Sequence, residues 1–141
     1  MAEFIFKDIV SKNGRQKEYY ISSAATHTDE IFAGRGNPIY PPAREQLLRH
    51  KIVFDEGKQA VLIKSQDYEE YDLFICMDNE NLRSLNRIFN GDKDRKVHLL
   101  LEPFGFSEVS DPWYTRDFSL AFDDILKGCE ALFERIEKEK F

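Results

Sequence analysis

The chain has 141 residues, 42% apolar and 33% charged, with a formal net charge of −6, which fits one soluble domain over residues 1–141 with a real core. The acidity and the lack of a basic cluster argue against nucleic acid and anionic membranes as general partners. No apolar run approaches the ~20 residues that span a bilayer, and a start carrying Glu3, Lys7 and Asp8 is not a signal peptide, so a cytoplasmic location is expected.

Ala2, Ile5, Phe6, Ile9 and Val10 fall at helical spacing and Asn13-Gly14 supplies a stop, so a helix is expected to begin at residue 1 or 2. No capping side chain, strand or turn stands before it in the sequence. Glu18 to Ile21 reads as a short strand leading into Ser22-Ser23-Ala24-Ala25. The loop from Thr26 to Tyr40 follows; its Gly34-Arg35-Gly36-Asn37 has too few glycines and no clear preceding strand for a phosphate cradle. Pro41-Pro42 opens a helix through about His50 that buries Ala43, Leu47 and Leu48. Ala60 to Ile63 is a short strand or a packed loop, and Ser65 to Tyr68 a helical turn.

Leu73 to Met77 is an unbroken apolar run, the mark of a buried parallel strand, and Asp78 is placed to cap the next helix. That helix carries Leu82, Leu85, Ile88 and Phe89 and stops at Asn90-Gly91. Val97 to Leu101 is one more strand. The last helix keeps Phe118, Ala121, Phe122, Ile125, Cys129, Leu132, Phe133 and Ile136 on one face for about five turns. Strands alternating with helices predict an α/β fold, a three-layer α/β/α sandwich on a parallel sheet.

In Ser110-Asp111-Pro112-Trp113-Tyr114, proline holds a carboxylate on a loop and two aromatic side chains follow. An acid beside a slot for a flat ring can protonate a departing phenolate. A turn with a hydrophobic anchor explains the same residues, and on these residues alone it is the stronger reading. Cys76 and Cys129 lack metal-type spacing and read as reduced, buried thiols. His27, His50 and His98 show no spacing for a metal site or a dyad. No cofactor or metal is expected.

Taken together, Met1-Ala2-Glu3, Ser22-Ser23-Ala24-Ala25, Tyr40-Pro41-Pro42-Ala43-Arg44, Tyr71-Asp72-Leu73-Phe74-Ile75-Cys76-Met77-Asp78 with Asn81-Leu82-Arg83, and Asp111-Pro112-Trp113-Tyr114 resemble, in order and spacing, the low-molecular-weight protein tyrosine phosphatases. The resemblance implies hydrolysis of phosphomonoesters through a phosphocysteine. It makes Asp111 the general acid and then base, and sets Trp113 and Tyr114 beside the substrate ring. Ser23 aligns with a serine that supports the phosphate loop. The family often has two tyrosines where Trp113-Tyr114 stands. Gly57 and Val61 replace a histidine and an arginine found in relatives.

The family's nucleophile is a cysteine with an arginine six positions later, in a loop between the first strand and the first helix; backbone amides and the arginine there grip the phosphate and lower the thiol pKa. That first central strand and that Cys-x5-Arg loop are not in the sequence, so no nucleophile is assigned and the chain is expected to be an N-terminally truncated, inactive phosphatase domain. Cys76 is a poor substitute: Asp78 and Glu80 bring negative charge, Arg83 comes one position late and no glycine opens the turn. A non-catalytic phosphoprotein-binding relative is the alternative; an arsenate reductase would need a relay of thiols. The resemblance also implies phosphorylated protein as partner, phosphotyrosine or phosphoarginine. An incomplete sheet predicts a homodimer or another way of pairing the open strands.

Overall fold

The computed structural model describes residues 1–27, 31–32, 35–110, 112, 116–139 and 141, with the backbone alone at 31, 32 and 35. Helix α1 (Ala2–Lys12) buries Phe4, Ile5, Phe6 and Val10 together with Glu3. Asn13 closes it, donating its side-chain amide to the Ile9 carbonyl at 2.7 Å, and Gly14 turns the chain with φ +68°, a conformation glycine adopts freely. Where the sequence predicts a strand at Glu18–Ile21, Gln16–Glu18 forms a 3-10 turn. From Tyr19, extended at φ −124° and ψ 135°, the chain makes no ladder among the described residues until Ala25, which bridges in parallel to Leu62. One pair of bonds makes that bridge, Ala25 N donating to Val61 O at 2.7 Å and Ile63 N to Ala25 O at 2.9 Å. Ala60–Ile63 is thus a packed loop with one bridge rather than a strand.

Strands β1 (Ile31–Phe32) and β2 (Arg35–Gly36) form a small antiparallel pair. Helix α2 (Pro41–Arg49) buries Ala43, Gln46 and Leu47. Leu48, expected inside, is 51% exposed. Helix α3 (Asp67–Glu70) precedes β3 (Phe74–Cys76), and helix α4 (Asn79–Ile88) connects β3 to β4 (Val97–Leu99). Asp78 caps α4 as predicted, its Oδ1 accepting from Asn81 N at 2.8 Å. Asn90 and Gly91 end it at φ +54° and +103°. Helix α5 (Phe118–Glu137) begins with Asp117 accepting from Leu120 N at 2.9 Å.

β3 and β4 pair in parallel, Phe74 with Val97 through Cys76 with Leu99. Their side chains alternate between two cores, as strand geometry demands. Phe74, Cys76 and Leu99 pack with Tyr68 of α3 and Leu85 of α4. Ile75, Leu100 and Leu101 pack on the other face with α1, α5 and Leu47 of α2. This is the expected α/β/α layering on a parallel sheet. Gly128 lets α5 cross β4, because a Cβ there would lie 2.5 Å from Leu100 Cγ.

Phe74 and Cys76 direct their peptide groups to β4, through Phe74 N to Lys96 O and Leu100 N to Cys76 O, each 2.8 Å. The amide and carbonyl of Ile75 therefore face the opposite edge. Tyr71, just before β3, spans from that side to the extended segment: its ring lies 6.0 Å from that of Tyr20, and its hydroxyl accepts from Ser22 Oγ at 3.0 Å.

Candidate active site

In an open parallel sheet a site forms beyond the carboxyl ends of the strands. The end of β3 carries Met77, whose carbonyl accepts from Val109 N at 2.9 Å. Glu108 reinforces this join, its Oε1 accepting from Asn79 N at 2.9 Å and Asn79 Nδ2 at 3.0 Å. Ser110 N then donates to Asp124 of α5 at 3.2 Å, and Arg116 N to Pro112 O at 2.8 Å. The loop after β4 is thus pinned across the end of β3 and onto α5. Asp111, Trp113 and Tyr114, the expected acid and ring-flanking residues, lie outside the described residues.

Ser23 is placed against the first turn of α1, donating to Glu3 Oε1 at 2.7 Å. Glu3 also accepts from Lys7 Nζ at 2.7 Å and pairs with Lys58 Nζ at 2.9 Å. Its side chain is only 5% exposed, against 45% for Lys7 and 25% for Lys58. Burial pushes the carboxyl up, but the bonds from Lys7, Ser23 and Lys58 outweigh it and hold the group below its ordinary value. Glu3 is therefore an anion that ties the segment bearing Ser23, and the loop bearing Lys58, to the start of α1. Sequence reasoning gave Ser23 its place by resemblance and missed Glu3 and Lys58. A carboxylate in the first turn of an otherwise apolar helix face was the one available signal.

The two thiols are far from this arrangement in chemical character. Burial pushes Cys76 up to about 12, with the Asp78 charge adding to it, and burial likewise takes Cys129 to about 12. Both are buried, as expected, and neither is a thiolate near neutral pH. One pair the sequence reading passed over, Cys129 and Arg135, does have five residues between its members. Both stand on α5, so they are separated by roughly 9 Å of helix rise and point to different faces, and Arg135 is bound to Glu102 at 3.0 Å.

The remaining candidates resolve into packing. His27 Nε2 meets Ser84 Oγ at 3.3 Å and Glu80 at 3.5 Å; both contacts use one ring nitrogen, so no relay from hydroxyl through ring to carboxylate forms. His50 stacks on Phe122 at 3.8 Å, and His98 lies between Glu102 and the Arg95 carbonyl. Gly36 packs backbone to backbone: a Cβ there would come 1.6 Å from Ala60 O. Among the described residues no group of three His, Cys, Asp or Glu side chains could hold a metal ion, and no helix is long and apolar enough to cross a membrane.

An α/β/α fold with the loop after β4 pinned to the end of β3 is the framework to which comparison with known proteins gives a class. The family model of the low molecular weight phosphotyrosine protein phosphatases matches residues 1–141, and the chain belongs to that family. It is 35% identical over 143 residues to the low molecular weight protein-tyrosine-phosphatase YfkJ of Bacillus subtilis, covering 99% of this chain and 88% of that protein. The crystal structure of YfkJ superposes with a TM-score of 0.87, covering 99% and 87% of the two chains. The phosphatase of Gallus gallus is 31% identical over 141 residues, with 96% and 85% covered. A Drosophila arginine phosphatase of known structure is 25% identical with a TM-score of 0.77, covering 96% of this chain and 87% of that one.

Proposed function

We propose that this domain hydrolyses phosphomonoesters on phosphorylated proteins through a phosphocysteine, with Asp111 as general acid and base and with Trp113 and Tyr114 flanking the substrate ring. Ser23 holds the phosphate loop in place through the first turn of α1. The observation that carries the reading is the pinning of the loop immediately before Asp111, Val109 to the end of β3 and Ser110 to α5, beyond the carboxyl end of a parallel strand. Phosphotyrosine is the principal substrate class, and the likeness to an arginine phosphatase supports phosphoarginine as a second. The cytoplasm is the proposed site of action.

The 141 residues by themselves are inactive in this proposal. Neither thiol is ionised near neutral pH, and the one Cys-x5-Arg spacing lies along a helix, which supports the inactivity proposed for these residues alone. The test is turnover of para-nitrophenyl phosphate by the chain as given and by the chain extended upstream in the same reading frame. Turnover by the longer chain alone is expected; turnover by the short chain that is lost in Cys76→Ser contradicts it. The same protonated thiols favour a second reading, binding of phosphoproteins without hydrolysis, which phosphopeptide capture unaffected by Asp111→Asn supports. The outward-facing peptide groups of Ile75 also lead us to infer that two copies pair through this edge. Light scattering is expected to give a dimer, and a monomer contradicts the pairing.

A further inference from the structure

The turn after β4 displays two phenylalanine rings. Phe104 is 42% and Phe106 66% exposed, yet the backbone beneath them is closely tied. Phe104 N donates to Leu101 O at 2.9 Å and Phe106 N to Glu102 O at 3.2 Å. Ser107 Oγ donates to Phe104 O at 2.9 Å, and Leu101 bridges antiparallel to Ser107. Phe106 is held at φ +58°. Among the described residues the other non-glycine positions of this kind are Lys51, Asn90, Arg95, Arg116 and Glu139, all polar. A left-handed backbone is strained for a bulky aromatic residue and suits glycine or asparagine. A ring left mostly in water returns little to the fold for that strain, and strain kept without a folding gain points to use.

The turn is continuous with the loop that leads to Asp111. Lys127 of α5 sets its Nζ 4.9 Å from the centre of the Phe104 ring, and Asp124, about one turn earlier on the same helix, accepts from Ser110 N. The segment from Phe104 to Ser110 therefore follows α5. Leu120, one turn further toward the helix start and on the same face, is 43% exposed. The five residues from Phe106 to Asp111 span at most about 17 Å, a distance an extended peptide covers in about five residues. The turn leaves β4 on the side of β3 opposite to the outward-facing groups of Ile75, so its exposure does not depend on how that edge is covered.

We infer that Phe106, with Phe104 and Leu120 beside it, is a docking surface for the phosphorylated protein, and that it receives an apolar side chain about three to five residues from the phosphorylated one. The inference rests on the phosphatase reading proposed above. A protein that brings its phosphoryl group to Asp111 carries its neighbouring residues within reach of this turn, and the turn cannot swing aside, because Val109 is bonded to Met77 and Ser110 to Asp124. A rigidly presented aromatic ring gives contact area at little ordering cost. The surface acts on selection among phosphoproteins and leaves the chemical step alone.

The test compares the chain extended upstream in its reading frame with the same protein carrying Phe106→Asn. Asparagine removes the ring and suits the left-handed backbone, so the midpoint of urea unfolding is expected not to fall. Three substrates are used: para-nitrophenyl phosphate, a phosphotyrosine peptide with leucine three to five residues away on both sides, and the same peptide with serine at those positions. In the variant KM for the leucine peptide is expected to rise about tenfold with kcat unchanged, while the serine peptide and para-nitrophenyl phosphate keep their kinetics. Equal kcat/KM of the native protein on the two peptides, or an equal loss on all three substrates in the variant, overturns the inference. Absence of para-nitrophenyl phosphate turnover defeats the phosphatase reading instead. Docking is then judged by fluorescence anisotropy of the labelled peptides, where weaker binding of the leucine peptide alone by the variant supports it and equal binding of both peptides by the native protein overturns it.

Discussion

Replacing Glu3 by glutamine tests the electrostatic tie at the start of α1. The change keeps shape and removes charge. Glutamine still accepts one or two of the three bonds, but its amide NH2 then faces an ammonium or a hydroxyl donor. Charge-assisted bonds contribute about 1.5–3 kcal/mol and neutral ones about 0.5–1.5, so Ser23 and Lys58 each lose roughly 1 kcal/mol. Lys7, 45% exposed, adds little because water screens it. The expected cost is about 2 kcal/mol at neutral pH, or a fall in Tm of about 6–10 °C for a domain of this size. Glu3 is held below its ordinary value of 4.5, so its contribution is present above that value and is lost as pH falls through the lowered one. Urea unfolding of both proteins across this range is therefore expected to show a gap at neutral pH that closes in acid, where protonated Glu3 behaves like glutamine. Equal stability at pH 7, or a gap that survives acidification, refutes the reasoning.

Both thiols are expected to resist an aromatic disulfide reagent at mildly alkaline pH in the native protein and to react together on unfolding, because burial holds each near 12; fast native reaction of Cys76 would show that its environment has been misread. Gly128→Ala is expected to destabilise the chain by about 1–2 kcal/mol in urea unfolding even though alanine favours helix, since the new methyl meets Leu100 Cγ at 2.5 Å. Asp92→Asn is expected to loosen the turn before β4, because Asp92 accepts from Tyr68 OH at 2.7 Å, Lys96 N at 2.8 Å and Val97 N at 3.0 Å; faster amide exchange at Lys96 and Val97 is the readout.

The helices were legible because their periodicity reports a single buried face: α1, α4 and α5 lie where the apolar spacing placed them, and Asp78 caps α4 as its position suggested. The strand at Leu73–Met77 was legible as a continuous apolar run because both of its faces are covered. Glu18–Ile21 misled because alternation describes an extended chain whether or not a neighbour pairs with it. Tyr19 and Ile21 do point inward, yet no ladder forms. Leu48 and Gln46 exchanged places because the buried stripe of α2 is set by what it packs against, which its short sequence does not encode. Ser23 was singled out by resemblance alone. Its partners Glu3 and Lys58 come together only through the tertiary fold, and only Glu3, a carboxylate in the first turn of α1, left a local sign.

In the proposed mechanism the proton transfers fall to Asp111. The most direct measurement is the dependence of kcat/KM on the leaving group, for the chain extended upstream in its reading frame and for the same protein with Asp111→Asn. Phenyl phosphate, whose leaving group needs a proton, is expected to lose about 10²–10⁴-fold in the variant, while an aryl phosphate with an electron-poor leaving group loses far less. Equal losses on both substrates, or none on either, contradict the assignment of Asp111 as the acid.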